Sequence, residues 1–510
     1  MILFTNLSYA QSKNDNVWLL GNSTINNDSF GGMVMTFNEK GFYLDKFDLK
    51  MGSLVTSNTS ICDDDGNLLL YANGCSIANF THEMIENGDD LNPGFIANEN
   101  CNFPGGGSYL SYGSTLILPI PERLGEYYYI YEHGNEFYYT DGLFYAHIDM
   151  NANGGLGKVL DKNVEVLPIP TTLSGYITAV RHGNGRDWWI VVPSGEPSRD
   201  FYLFLLSPTG LEGPFWRSYP PATELPLGVP WTFGGPTQAV FTPDGTKYCR
   251  VNRRYGIEIY NFDRCTGEFE ILKKLPLPPL TEEAIRQNDT TLLKYDAGAA
   301  GMAASPNSRF LYVSNVSDLY QIDLCDRNFG MEHIEAYDGS LWYFFAANFY
   351  QMQLAPDNRI YMCSSNTGRV LSVINEPDKP GKLCNFDQHG ILLPRYTGFV
   401  LPNFPHFRLY DAPGSPCDTL GIDGPEKRRL PAFTLFPNPA KDEVHIFVPK
   451  CDGGQLRIYN AAGQFLWETE YLTGDAEYTL ETMGWPAGMY FAILIEDGKR
   501  VLTKKLVIAR

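Results

Sequence analysis

Short turn signals alternate with stiff apolar runs along this chain, and the alternation recurs. DGN precedes LLLY at Leu68, GE precedes YYYIY at Tyr127, GNGRD precedes WWIVV at Trp188, PDGT precedes KYCRV at Lys247, PNS precedes RFLYV at Arg309 and PDN precedes RIYMC at Arg359. The starts of these runs are spaced by 59, 61, 59, 62 and 50 residues, so one supersecondary unit has been copied. Each copy has a strand-like run before the turn (SNTSI, STLIL, TAV, QAVF, GMAA, YQMQL) and another after it (SIANF, LFYAHID, YLFLL, IEIYNF, DLYQID, VLSVI). A fourth often follows a second turn, as in CTGEFEILKKL. Four antiparallel strands per unit predict a propeller blade; a jelly roll or solenoid is the alternative, but regular hairpins at this spacing favour radial repetition.

Six copies are plain, and the leftover ends supply a seventh. Residues 16–47 offer VWLLGN and VMTFNEKGFYLDKF, and residues 398–410 offer GFVLPNFPHFRLY. If the last strand, at residues 400–409, pairs with the first segment, the ring closes and leaves no edge to aggregate. The fold expected over 16–411 is therefore an all-β propeller with seven blades favoured and six or eight as alternatives.

The pattern changes after Pro439. Val444, Ile446 and Val448 alternate with Glu443, His445 and Phe447, the period of a strand with one face packed inward. Leu456 and Ile458 repeat it, as do Tyr490, Ala492 and Leu494, with turns at Asp452-Gly453-Gly454, Ala462-Gly463 and Asp497-Gly498 between the runs. Residues 432–510 read as a small β-sandwich, joined to the propeller by the Pro/Gly-rich stretch 412–431, a linker composition.

Composition narrows the class. Aromatic residues make up 14% of 510 positions and glycines number 49, suiting many strands and many tight turns. The net charge of -20 is uneven: from Asp418 onward 11 basic residues face 13 acidic ones, which leaves about -18 on the body. So acidic a surface argues against nucleic acid and anionic membrane as partners. No apolar run approaches the ~18 residues of a membrane-spanning helix. The opening MILFTNLSYAQ reads as the end of a signal peptide over 1–10, cleaved after Ala10 and beginning upstream of Met1. Ten cysteines permit disulfides in an exported chain, and Cys249 with Cys265 and Cys363 with Cys384 are the expected pairs, each lying within one repeat.

Candidate chemistry is sparse. The sequence holds no nucleophile elbow, H-E-x-x-H helix, phosphate loop or triad spacing, and its eight histidines are scattered, so no catalytic residue, metal or cofactor is expected. Asp149, Asn151, Asn153 and Gly154 imitate the first half of an EF-hand loop, but the twelfth position is Leu160, and a simple turn is the expectation. Long connections between blades are the expected binding face, because long loops on a rigid scaffold are where binding usually resides. They carry Trp231 and Phe233, Arg253, Arg254 and Tyr255, Trp342, Tyr343 and Phe344, and Tyr138 and Tyr139. Trp231, Phe233, Arg253, Arg254, Trp342 and Tyr343 are the expected ligand contacts, for an extracellular glycan or protein. The alternative is a polysaccharide lyase or hydrolase on the propeller, which paired carboxylates at the channel mouth would favour.

Two resemblances add a destination. The FPNP entry (Phe436, Pro437, Asn438, Pro439), the IYNAAGQ turn around Gly463, the AGMYF strand with Gly488 and Tyr490, and the terminal KKLV strand with Lys504 and Lys505 resemble the type A C-terminal sorting domain of the type IX secretion system. That implies the type IX machinery as partner and a secreted or outer-membrane surface-attached location reached through the periplasm. Phrases such as GNLLLYANG, TPDGTKY, SPNSRFLYVS, LAPDNRIY and LPNFPHFRL are similar to secreted propellers found ahead of such domains. This second resemblance implies a fold and a location, and no catalytic residue.

Overall fold

A computed structural model describes residues 12–23, 27–38, 41–102, 107–110, 112–136, 140–168, 177–194, 199–219, 238–252, 256–278, 300–342, 345–412, 415–417, 434–436, 438–461, 463–469, 472–496 and 499–509. The expected signal-peptide remnant at 1–10 and most of the expected linker lie outside them. The chain divides into two compact units, the second holding Asp423–Arg510 together with Asn307–Leu311 and Ile322–Met331.

Among the described residues up to Thr397, seven antiparallel sheets of three or four strands follow one another as blades 1 to 7. Their first strands are Val17–Asn22, Thr59–Cys62, Thr115–Pro119, Thr178–Arg181, Gln238–Phe241, Gly301–Ala304 and Met352–Leu354. From blade 2 onward these are the runs expected before each turn. The second strands bury almost completely: Trp188, Ile190 and Val191 are shielded from solvent, as are Tyr129, Ile130 and Tyr131. The tandem aromatics of YYYIY and WWIVV thus pack both faces of a sheet between neighbouring blades.

Blade 1 is built differently. Asn58 Nδ2 donates to the Leu19 carbonyl, Ser60 Oγ to that of Val17 and the Cys62 amide to that of Asn14. Val17–Asn22 therefore runs antiparallel to the first strand of blade 2, as a second strand would. The innermost place belongs to residues 399–408: the Phe399 amide donates to Val55, the Asn403 amide to Asn58, and Arg408 reaches Asp15 at 2.6 and 2.8 Å. This corrects the expectation of a closing strand at 400–409. The segment forms no strand and no backbone ladder with Val17–Asn22. Pro402 and Pro405 lack the amide protons a ladder needs, so side chains take over. Phe404 stacks obliquely on Trp18 at 6.1 Å, Phe407 meets Trp188 edge-on at 5.6 Å, and Asn403 Nδ2 donates to the carbonyls of Gly113, Thr115 and Ile177.

The disulfides also differ from expectation. Cys75 is bonded to Cys101 and Cys265 to Cys417, while Cys62, Cys249, Cys363 and Cys384 are buried thiols. Cys249 lies opposite Ile259 within its sheet, whereas Cys265 sits in the turn beyond that strand, roughly 20 Å away at ~3.3 Å per residue. Cys363 and Cys384 lie at opposite ends of blade 7. Burial pushes the Cys62, Cys249 and Cys363 thiols up to about 12, far from thiolate chemistry. Within the expected linker, Cys417 is bonded to a blade 5 turn and the Ala412 amide donates to the Gly183 carbonyl.

The second unit is a small sandwich. The first half of the long strand Glu443–Asn460 pairs with Thr434–Phe436 and Leu472–Glu481, its second half with Phe465–Glu468 and Gly488–Glu496, which in turn pairs with Lys499–Ile508. Val444, Ile446, Leu456, Ile458, Tyr490, Ala492, Leu506 and Ile508 form one core.

Candidate functional site

In the C-terminal unit the motif residues converge. Asn438 clasps the last strand with both ends of its amide: Nδ2 donates to the Lys505 carbonyl at 2.8 Å and Oδ1 accepts from the Val507 amide at 2.9 Å. Two further bonds, Ala440 to Val507 and Ala509 to Ala440, continue the clasp. Gly463 takes a left-handed φ of 80° and donates to Asn460, closing the hairpin where a side chain would be strained. Tyr490 is buried and donates to the Pro486 carbonyl at 2.7 Å, and Gly488 pairs with Ile508 at the start of the same strand. Lys504 and Lys505 are neighbours on the terminal strand, opposite Ala492 and Phe491, so they point to opposite faces. Pro439 is exposed, and Pro437 lies outside the described residues. The FPNP entry and the KKLV strand, some seventy residues apart in sequence, form one hydrogen-bonded unit.

In the propeller, Trp231, Phe233, Arg253, Arg254 and Tyr343 lie outside the described residues, as do Tyr138, Tyr139, Tyr255 and Phe344. The backbone of Trp342 is described: Leu341–Trp342 pairs with Phe345–Ala346 in a short hairpin. The Ala347 amide donates to Ser340 at the hairpin base, and the amides of Tyr337 and Phe349 donate to Ser317 and Val316 in a blade 6 turn.

Around that same end of the molecule polar side chains order the turns and connections. Asn73 Nδ2 donates to the carbonyls of Met51, Ser53 and Gly107, while its Oδ1 accepts from the Cys75 and Ser76 amides. One buried side chain thus ties two inter-blade segments to the turn at Asn73–Ser76 within blade 2. At blade 5, Glu258 is buried between two arginines. Its Oε2 accepts from Arg250 Nε at 2.9 Å and Tyr260 Oη at 2.7 Å, and its Oε1 from Arg199 Nε at 2.9 Å. Burial pushes the Glu258 carboxyl up, but Arg250, Tyr260 and Arg199 outweigh it and hold the group below the usual carboxylate range. Sequence reasoning missed this cluster. Its signal was a charged residue at an inward position of an apolar strand, Arg250 in KYCRV and Glu258 in GIEIY.

The channel is largely filled by the protein itself. Thr178, Gln238, Ala303 and Met352 from four first strands surround a cavity of about 50 Å³ together with Asn403, Phe404, His406 and Asp15. Gln238 bridges blades 5, 6 and 7: its Nε2 donates to Met352 and its Oε1 accepts from the Met302 and Met352 amides. Asp15 is held by Arg408. His406 is half-buried on the channel wall, where burial and then Arg408 hold its imidazole down to about 3, so it is neutral. The half-EF-hand stretch is a turn: Asp149 Oδ1 accepts from the Asn151 amide and Asn151 Nδ2 donates to Leu124.

Comparison with known proteins agrees with the C-terminal geometry. Residues 434–509 match the secretion system C-terminal sorting domain family. The chain is an exported propeller protein, carrying a type IX C-terminal sorting domain that directs it to the cell surface or the exterior. No curated protein matches it in sequence. Similar solved structures include a putative 6-phosphogluconolactonase from Bacteroides fragilis, at 10% identity and a TM-score of 0.44, with 78% of this chain and 99% of that one covered. A functionally unknown protein from Desulfotomaculum acetoxidans matches at 14% identity and a TM-score of 0.40, covering 76% and 99%. A periplasmic gluconolactonase from Pseudomonas aeruginosa matches at 12% identity and a TM-score of 0.36, covering 97% and 99%.

Proposed function

We propose that the protein is an exported recognition module, a propeller that binds an extracellular glycan or protein through its long-loop face without turning it over. The observation that carries this reading is the channel. Enzyme and cofactor pockets enclose roughly 300–1,000 Å³, whereas the closing segment leaves about 50 Å³ here. The carboxylate lining that cavity, Asp15, is neutralised by Arg408, and the imidazole beside it is held neutral well below working pH. A lyase or hydrolase needs a free acid–base pair within reach of substrate. The Leu341–Ala346 hairpin, by contrast, is held at its base by hydrogen-bonded turns.

The test is a panel of purified extracellular polysaccharides and proteins assayed both for binding and for depolymerisation. Binding without product is expected, and Trp231→Ala with Trp342→Ala should weaken it at least tenfold without unfolding, as for exposed anchors. Product formation that is lost on changing a propeller carboxylate would favour the lyase or hydrolase.

A further inference from the structure

We propose that the flank between blades 3 and 4 is a second binding site, taking a neutral glycan chain with flat apolar sugar faces, and that Trp216 is its stacking platform. Trp18, Trp188 and Trp189 are buried, but Trp216 is 62% exposed on Gly210–Arg217, the outermost strand of blade 4. The strand is shaped for this. Leu203 pairs with Phe215 and Leu205 with Glu212, so two residues, Gly213 and Pro214, stand against one in a bulge. Beyond the bulge Phe215 turns inward to meet Trp189 edge-on at 5.8 Å, and Trp216 turns to the other face. The strand end is pinned by Arg217, which donates to the Thr266 carbonyl at 3.0 Å and pairs with Glu268 at 2.7 Å.

Trp216 is not a stray surface residue. It lies directly opposite Tyr202, which lies opposite Val192, and cross-strand partners share a face. That face carries Trp188, Ile190, Phe204 and Leu206, which join Tyr128 and Ile130 of blade 3 in one core. Trp216 and the half-buried Tyr202 therefore stand at the outer end of the face that blade 4 turns toward blade 3. On the facing sheet, Ile130 and Tyr128 pair with Tyr145 and His147, and His147 with the exposed Asp161. Arg123 Nε donates to the Pro208 carbonyl at 2.9 Å and fastens the two walls together at one end.

The chemistry of those walls selects the ligand. An indole and two phenol rings offer faces for the C–H side of a pyranose, and Asp161 offers hydroxyl acceptors at the rim. The charges disfavour an acidic polymer: Asp161 is exposed and Arg123 is paired with Glu126. The two proposals rest on different residues, and either can fail without the other.

Calorimetric titration of the full chain with cellohexaose, and with a polygalacturonate oligomer as the anionic counterpart, tests it. Cellohexaose should bind, Trp216→Ala should weaken it by about tenfold or more, and Trp216→Phe should retain it within about threefold. Trp231→Ala with Trp342→Ala should leave it unchanged, and the polygalacturonate should not bind. Absence of cellohexaose binding at millimolar concentration, equal affinity in Trp216→Ala, or preference for the anionic oligomer would overturn the proposal.

Discussion

Two titratable side chains, the buried Glu132 and the half-buried His406, give the propeller opposite pH responses. Burial pushes the Glu132 carboxyl up to about 8, against the Thr140 hydroxyl that donates to it. With a folded pKa above its ordinary 4.5, Glu132 binds a proton in the native state that the unfolded chain releases, so its contribution is intact below pH 4.5 and falls away as pH rises to about 8. His406 is the converse. Held down to about 3 from 6.5, it contributes above pH 6.5 and loses that contribution as pH falls toward 3. Glu132→Gln should therefore raise the melting temperature at pH 8 by about 2 °C or more and change it little at pH 4.5; thermal scans across that range check it, and an equal gain at both values would refute the assignment. Neither response was legible in the sequence. Glu132 ends a run of tyrosines that advertises a buried strand, but its own burial follows from Thr140 arriving across the sheet, a pairing that local pattern does not specify.

Strands and turns were legible because period and turn chemistry are local; the exceptions arose where partners are distant. The six recurrent runs became the second strands of six blades, and their turns took the expected places. The closing segment kept its position and lost its ladder, for which Pro402 and Pro405 were visible signs. The disulfides were misassigned because pairing depends on which turns meet across blades: Cys265 finds Cys417 over a separation of 152 residues. The loop-face aromatics lie almost wholly outside the described residues, while Trp216 stands in an outer strand that the turn-and-run pattern did not mark. At this scale the closing segment makes a sharp prediction. Asp15 is 2% exposed and its partner Arg408 carries most of the charge pairing, so Arg408→Ala strands a buried carboxylate and should cost about 3–5 kcal/mol. Denaturant unfolding checks this; removing both charges with Asp15→Asn and Arg408→Met should recover part of the loss, and a loss below ~1 kcal/mol for Arg408→Ala would show that the segment closes nothing.

The whole molecule joins a ring that must close to a tail that must be read, and the ring's closure is complete before the tail begins. Arg264 Nη2 donates to the Tyr410 carbonyl, the Ala412 amide donates to Gly183, and the Cys265–Cys417 bond follows within a few residues. That bond closes so long a loop that the chain-entropy contribution is of the order of 4–5 kcal/mol. It requires an oxidising compartment, which the sorting domain's destination supplies. Removal of residues 432–510 deletes the Asn438 clasp and the whole core around Tyr490, yet takes away none of these closing bonds. The truncated protein should therefore retain a propeller whose melting temperature falls on reduction, and a Cys417→Ser version should melt lower without reductant. It should also accumulate inside the cell envelope, because the address is gone while the ring is intact. Fractionation and thermal melts of the full-length, truncated and Cys417→Ser chains separate the outcomes. Normal export of the truncated chain would remove the sorting role from residues 434–509, and an unfolded truncated chain would show that the ring depends on the tail.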